Sequence, residues 1–250
     1  MIDTPDLLAV VALAFIATTI QTSVGFGTAL FFVPAATLLV GAEPSVAAML
    51  IVIPGTGAIL FHSSSEQTPW RESTWPALVS LLSMPLGVLL LTRADENVLR
   101  LLVGFGVLAA VVINYIGSHS VEVVHAPSWP RMVIAGLASG LMRGALGMGG
   151  PAAVLYFHWL GGGATRFRNR MYAFGLTAGI PAVAIGAAGG LYAGETMKVV
   201  GASLPGALLG ILFGVRLRPH ISDSGIRRLS ALLLIATSAL AMVTAGSVLF

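Results

Sequence analysis

The sequence contains no cysteine, which excludes disulfides, thiolate metal sites and cysteine nucleophiles. Charge is almost as scarce: Asp, Glu, Lys and Arg make up 9% of the residues, against about 25% in soluble domains. Lysine occurs once, as Lys198, and no basic helix face is present to take nucleic acid. No aspartate or glutamate falls at the centre of an apolar run. Asp95, Glu96, Glu195 and Asp223 lie between runs, and Glu43 caps the first. The carboxylate proton relay common in pumps is therefore missing. No histidine pair has metal-ligand spacing on one face, and no Ser-His-Asp set or pair of intramembrane carboxylates is offered. A metal, a cofactor or an enzymatic activity is accordingly not expected. Asp3 and Asp6 stand where a signal peptide would carry basic residues, so Leu7 onward reads as mature protein.

What is abundant is apolar sequence. Hydrophobic residues make up 56% of the chain and mean hydropathy is +0.93. A soluble core wrapped in a polar shell cannot have this composition. The chain reads as an all-α integral membrane protein, a single membrane domain with length for about six or seven helices at roughly 20 residues per span.

Two stretches interrupt the apolar pattern. Leu7 to Leu39 is about 33 residues long, too long for one span and short for two. At its centre lies Gln21-Thr22-Ser23-Val24-Gly25-Phe26-Gly27-Thr28. Met132 to Leu160 is the second overlong run, broken by Arg143-Gly144-Ala145-Leu146-Gly147-Met148-Gly149-Gly150-Pro151. Broken backbone in lipid needs partners for every freed N–H and C=O, so it persists where it is buried in protein or lines a cavity. The two breaks are expected to face each other and form one site.

The rest of the chain repeats around these breaks. Gly25 and Gly27 recur as Gly147 and Gly149 at one common offset. Gly87-Val88 recurs as Gly214-Val215, and Leu99-Arg100 as Ile226-Arg227, at a slightly larger one. The reading is two homologous halves, residues 1–116 and 132–250, joined by a central loop at 117–131. Each half has a glycine-broken first segment and three spanning helices. The spans expected are Ser45 to Phe61 (broken at Pro54-Gly55), Pro76 to Leu91, Val98 to Ile116, Met171 to Tyr192, Val199 to Leu217 and Ile226 to Leu249. His62 to Thr74 and Gly161 to Arg170 read as loops.

Sidedness follows from arginine. If each overlong run is a hairpin returning to its own side, Arg71, Arg131, Arg166, Arg168, Arg170, Arg216, Arg218, Arg227 and Arg228 share one face. Only Arg93, Arg100 and Lys198 take the other. Positive loops stay cytoplasmic, which places both termini outside the cell's inner membrane. Simple spans in place of hairpins leave the same imbalance. Hairpins make the halves inverted and simple spans make them parallel; inversion is the arrangement favoured here, because it brings both breaks to the midplane from opposite sides.

Gly25-Phe26-Gly27 with Pro34, the run Gly147-Met148-Gly149-Gly150-Pro151, and Pro205-Gly206-Ala207-Leu208-Leu209-Gly210 leading to Ile226-Arg227-Arg228-Leu229 resemble the sulfite exporter TauE/SafE family. The resemblance covers the whole length, including the duplicated layout. Thr28 departs from it, standing where the second half has Gly150. The resemblance implies outward transport of small sulfur-containing anions such as sulfite and organosulfonates.

The residues themselves suit an anion. A helix starting at a glycine break presents unpaired N–H groups and the positive end of its dipole. Gly25, Gly27, Gly147, Gly149 and Gly150 allow close approach, and Gln21, Thr22, Ser23 and Thr28 add donors. The plainer role for the glycines is close helix packing. Arg143 is the one charge deep in an apolar run; its planar fork fits sulfite or sulfonate oxygens, and snorkelling to an interface is its alternative. The expected partners are a small anion and the lipid bilayer, with homodimerisation left open. Export driven by the membrane potential or an ion gradient is the expected energetics, and an anion or small-solute channel is the competing class.

Overall fold

The computed structural model describes residues 2–63, 70–95, 97–99, 101–102 and 124–217. Among them every regular element is an α-helix. In chain order these are α1 (Thr4–Val24), α2 (Thr28–Val40), α3 (Ala42–His62), α4 (Trp70–Arg93), α5 (Trp129–Leu146), α6 (Gly150–Leu160), α7 (Gly163–Ala188) and α8 (Glu195–Leu217). Five are long and apolar enough to cross a bilayer: α1, α3, α4, α8 and the Thr165–Ala188 part of α7. Their outward leucines, such as Leu82, Leu86, Leu208 and Leu212, are exposed as lipid-facing side chains would be. The chain is a multi-pass membrane protein. The expected spans Val98 to Ile116 and Ile226 to Leu249, and loop residues 117–123, lie almost wholly outside the described residues.

Both overlong runs are broken where the glycines fall. α1 ends at Gly25, which takes the left-handed conformation (φ 103°) and donates its N–H to Gln21 O at 2.7 Å. α5 ends the same way at Gly147 (φ 66°), whose N–H reaches Arg143 O at 2.9 Å. Positive φ is nearly free for glycine and costly for other residues, so these caps stop each helix in mid-run. The following helices have 13 and 11 residues. At about 1.5 Å per residue neither can cross a hydrocarbon core of about 30 Å.

Glycine stripes set the packing. Gly136, Gly140 and Gly144 on α5 lie against Pro76 and Val79, Ser80, and Met84 and Val88 on α4. Gly206, Gly210 and Gly214 on α8 lie against Val11 and Ala14, Phe15 and Thr18, and Thr22 on α1. At each of these glycines a Cβ would collide with the neighbouring helix, so the backbones approach as only small residues permit. Such close approach is reinforced by hydroxyl donors: Ser83 Oγ donates to Leu137 O at 2.6 Å, and Thr19 Oγ1 stands 3.4 Å from Gly210 O.

The same contacts give the directions. Contact positions rise together along α4 and α5, along α1 and α8, and along α4 and α7, where Ser73 Oγ donates to Arg170 O and Val88 meets Gly189. They run oppositely along α3 and α7, where Gly57 meets Tyr172 and Leu50 meets Gly186. The end of α8 returns beside the start of α7, with Ile211 against Leu60 and Tyr172. So α1, α3 and α8 point one way and α4, α5 and α7 the other. Short α2 lies between two helices of like direction, and so does α6.

Three local expectations are corrected. α3 is not broken at Pro54-Gly55 but continues from Ala42 to His62. The proline ring packs against Gly179 of α7, and neighbouring helices can re-satisfy the backbone that a proline frees. The segment Gly161 to Arg170 is helical from Gly163 onward, and Arg168 and Arg170 are buried rather than looped into water. Arg170 is satisfied in place, its Nε 2.5 Å from Glu72 Oε2 and its Nη1 donating to Gly161 O. The expected loop from His62 to Thr74 ends earlier, since α4 begins at Trp70.

Candidate functional site

The two breaks open onto one cleft. Its walls include Gln21, Gly25, Gly27 and Thr28 from the first break and Arg143, Gly147, Gly149 and Gly150 from the second. Phe26, Leu30, Ile53, Met148, Met171 and Phe174 add an apolar surface, and among the described residues no carboxylate lines it. The empty space is about 460 Å³, part of it open to the outside.

α2 and α6 both start at this cleft, with Thr28 and Gly150 as their first residues. Two helix N-termini therefore turn unpaired N–H groups and positive dipole ends toward one space. The second break presents fewer donors, because Pro151 has no N–H. It supplies Arg143 instead.

Arg143 is 2% exposed, and its buried Nε has no hydrogen-bond partner among the described residues. Its guanidinium lies 5.1 Å from the centre of the Phe174 ring, a cation–π contact that compensates for only part of the lost hydration. Gly149 makes room for it: a Cβ there would stand 2.7 Å from Arg143 Nε. Snorkelling is excluded by this burial. A buried guanidinium with a spare N–H, and with no carboxylate beside it among the described residues, has the chemistry to pair with an anion.

Gln21 occupies the corresponding place before the first break. Each side chain stands four residues before the glycine that ends its helix. Thr28 Oγ1 donates to Gln21 Oε1, and Thr56 Oγ1 stands 3.3 Å from the same atom. With the oxygen engaged, the amide NH₂ is the part of Gln21 left to offer the cleft.

Thr22 and Ser23 do not line the cleft. Their hydroxyls donate back to Thr18 O at 2.8 Å and Thr19 O at 3.0 Å, and the Thr22 side chain packs on Gly214. The helix was still intact at these positions, so period rather than proximity to the break decides which side chains reach the space.

Several contributors escaped sequence reasoning. Tyr172 donates to Thr22 O at 2.9 Å, holding the end of α1 where the helix has run out of its own donors. Thr56 and Phe174 meet Gln21 and Arg143 from α3 and α7. Phe167 stands edge-on to Phe26 at 6.0 Å and stacks on His158 at 4.3 Å, backing the lining residue Phe26. None carries a sequence signal, because each acts through a contact made across helices.

Neither a curated protein nor a solved structure matches this chain. The family model described as sulfite exporter TauE/SafE matches residues 10–241. With both breaks, the cleft between them and all eight described helices inside or overlapping that match, the chain belongs to the sulfite exporter TauE/SafE family of membrane transporters.

Proposed function

We propose that this transporter exports small sulfur-containing anions, sulfite or organosulfonates, through the cleft between the two glycine breaks. The observation carrying this reading is the Nε of buried Arg143, unpaired among the described residues and set among two helix N-termini with no carboxylate in the described lining. Arg143 and Gln21 hold the oxygens, and Gly25, Gly27, Gly147, Gly149 and Gly150 let the ligand approach backbone N–H groups. Interior-negative potential drives each negative charge outward by about 2.3 kcal/mol per 100 mV. No coupled proton is then required.

The architecture that serves this function is a pair of inverted repeats, residues 1–116 and 132–250, around the linker at 117–131. α1–α2 and α5–α6 are re-entrant hairpins entering from opposite faces. Supporting this are the like directions of α1 and α3, and of α5 and α7, with a helix too short to span between each pair. The reciprocal packing of α1 on α8 and α5 on α4 supports it as well. In this arrangement both termini face outward across the inner membrane, and the arginine-rich start of α7 faces the cytoplasm.

The test is sulfite efflux from vesicles containing the purified chain. Flux that saturates, and that competing sulfonates inhibit, supports the carrier. Conductance without saturation would establish a channel instead, and absence of flux for every sulfur oxyanion would refute the proposal.

A further inference from the structure

We propose that the cleft selects singly charged over doubly charged oxyanions, and that Gln21 is the residue that sets this choice. The inference rests on the transport reading above and deepens it. The cleft has two equivalent anchoring positions, each four residues before a helix-ending glycine, and only one is charged: Arg143 in the second half, Gln21 in the first.

The neighbouring cations on α7 are absent from the lining. Arg168 packs its stem on Gly25, but its Nη2 donates to Thr165 Oγ1 at 3.1 Å on its own helix, and it does not line the cleft. Arg170 is held by Glu72 and Gly161 O. Arg166 lies along Gly162, away from the lining. From α3 and α7 the cleft receives Ile53, Met171, Phe174 and Gly175, none of which can carry charge.

Among the described lining residues Arg143 is thus the one charged side chain, and the others are neutral and largely apolar. A single negative charge is matched by Arg143, with the Gln21 amide and the helix N-termini satisfying remaining lone pairs. A second negative charge would enter without a counter-charge, and an uncompensated charge away from water is strongly disfavoured. Gln21 is suited to this discrimination because it donates hydrogen bonds without adding charge. Thr28 fixes its oxygen, so the amide presents its donors.

Methanesulfonate and sulfate provide a matched probe, near in size and differing by one charge. Binding of each to the full chain in lipid nanodiscs is measured by calorimetry at neutral pH. The wild-type protein is expected to favour methanesulfonate by about tenfold or more. Gln21→Arg should bring sulfate to parity or better, while Gln21→Met should weaken both anions and leave their ratio as in wild type. Equal wild-type affinities would overturn the inference alone, as would a folded Gln21→Arg chain that keeps the original ratio or a Gln21→Met chain that loses it. Should Gln21→Arg fail to fold, the wild-type ratio decides by itself. Binding of neither methanesulfonate, sulfate nor sulfite would instead refute the transport reading, and this inference with it.

Discussion

Arg143 holds a buried guanidinium whose Nε has no partner among the described residues. Its contribution to the ligand should therefore be large. Arg143→Ala is expected to weaken sulfite binding by about 100-fold, whereas Arg93→Ala, at the exposed end of α4, should change it by less than about twofold. Calorimetry on the two variants checks this. Gly149→Ala separates crowding from charge. Gly149 has φ −69°, which alanine adopts without strain, yet the added Cβ would press on Arg143 Nε and Cβ. The expected result is a folded protein with anion affinity lowered by about tenfold, since displacement of a positioned group by a fraction of an ångström weakens its hydrogen bonds steeply. Unchanged affinity in Gly149→Ala would show that the guanidinium is not held in place by that contact.

At the scale of elements, glycine does two separate jobs, and the sequence displayed one more clearly than the other. Gly25 and Gly147 end helices in the middle of apolar runs, and the length of those runs made the break legible without coordinates. Gly136, Gly140, Gly144 and their counterparts on α8 are spaced four apart and serve close packing. That spacing is visible in the sequence, but which helix each stripe meets is decided across the fold. The same limit explains Thr22 and Ser23: they adjoin the break in sequence, but their hydroxyls are engaged within α1. It also explains Arg168 and Arg170, which read as a loop because arginine avoids lipid. Arg170 is tolerated only because Glu72 arrives from another helix. Glu72→Ala should accordingly destabilise the protein by about 3 kcal/mol, seen as a lowered unfolding temperature in detergent. Gly140→Val should cost about 3 kcal/mol by wedging α5 from α4, measured in the same way. If both variants melt as wild type does, these helix contacts carry far less than their geometry implies.

For the whole molecule, composition alone was enough to assign a multi-pass membrane protein, and the motifs were enough for the family. Direction was not legible, because arginine counts balance equally for hairpins and simple spans. Helix contacts add relative direction, with α1, α3 and α8 running against α4, α5 and α7, and this supports the hairpin arrangement proposed above. In a chain without cysteine, single cysteines at Ser63 and Asp95 are expected to label from the cytoplasmic and the external side respectively. Labelling of both from one side would contradict the proposed topology. The most direct test of the central claim is potential-driven sulfite efflux from proteoliposomes, comparing wild type with Arg143→Ala at equal reconstituted protein. The account predicts efflux that rises with interior-negative potential in the wild type and falls to the level of empty vesicles in Arg143→Ala. Equal efflux from the two proteins would contradict it.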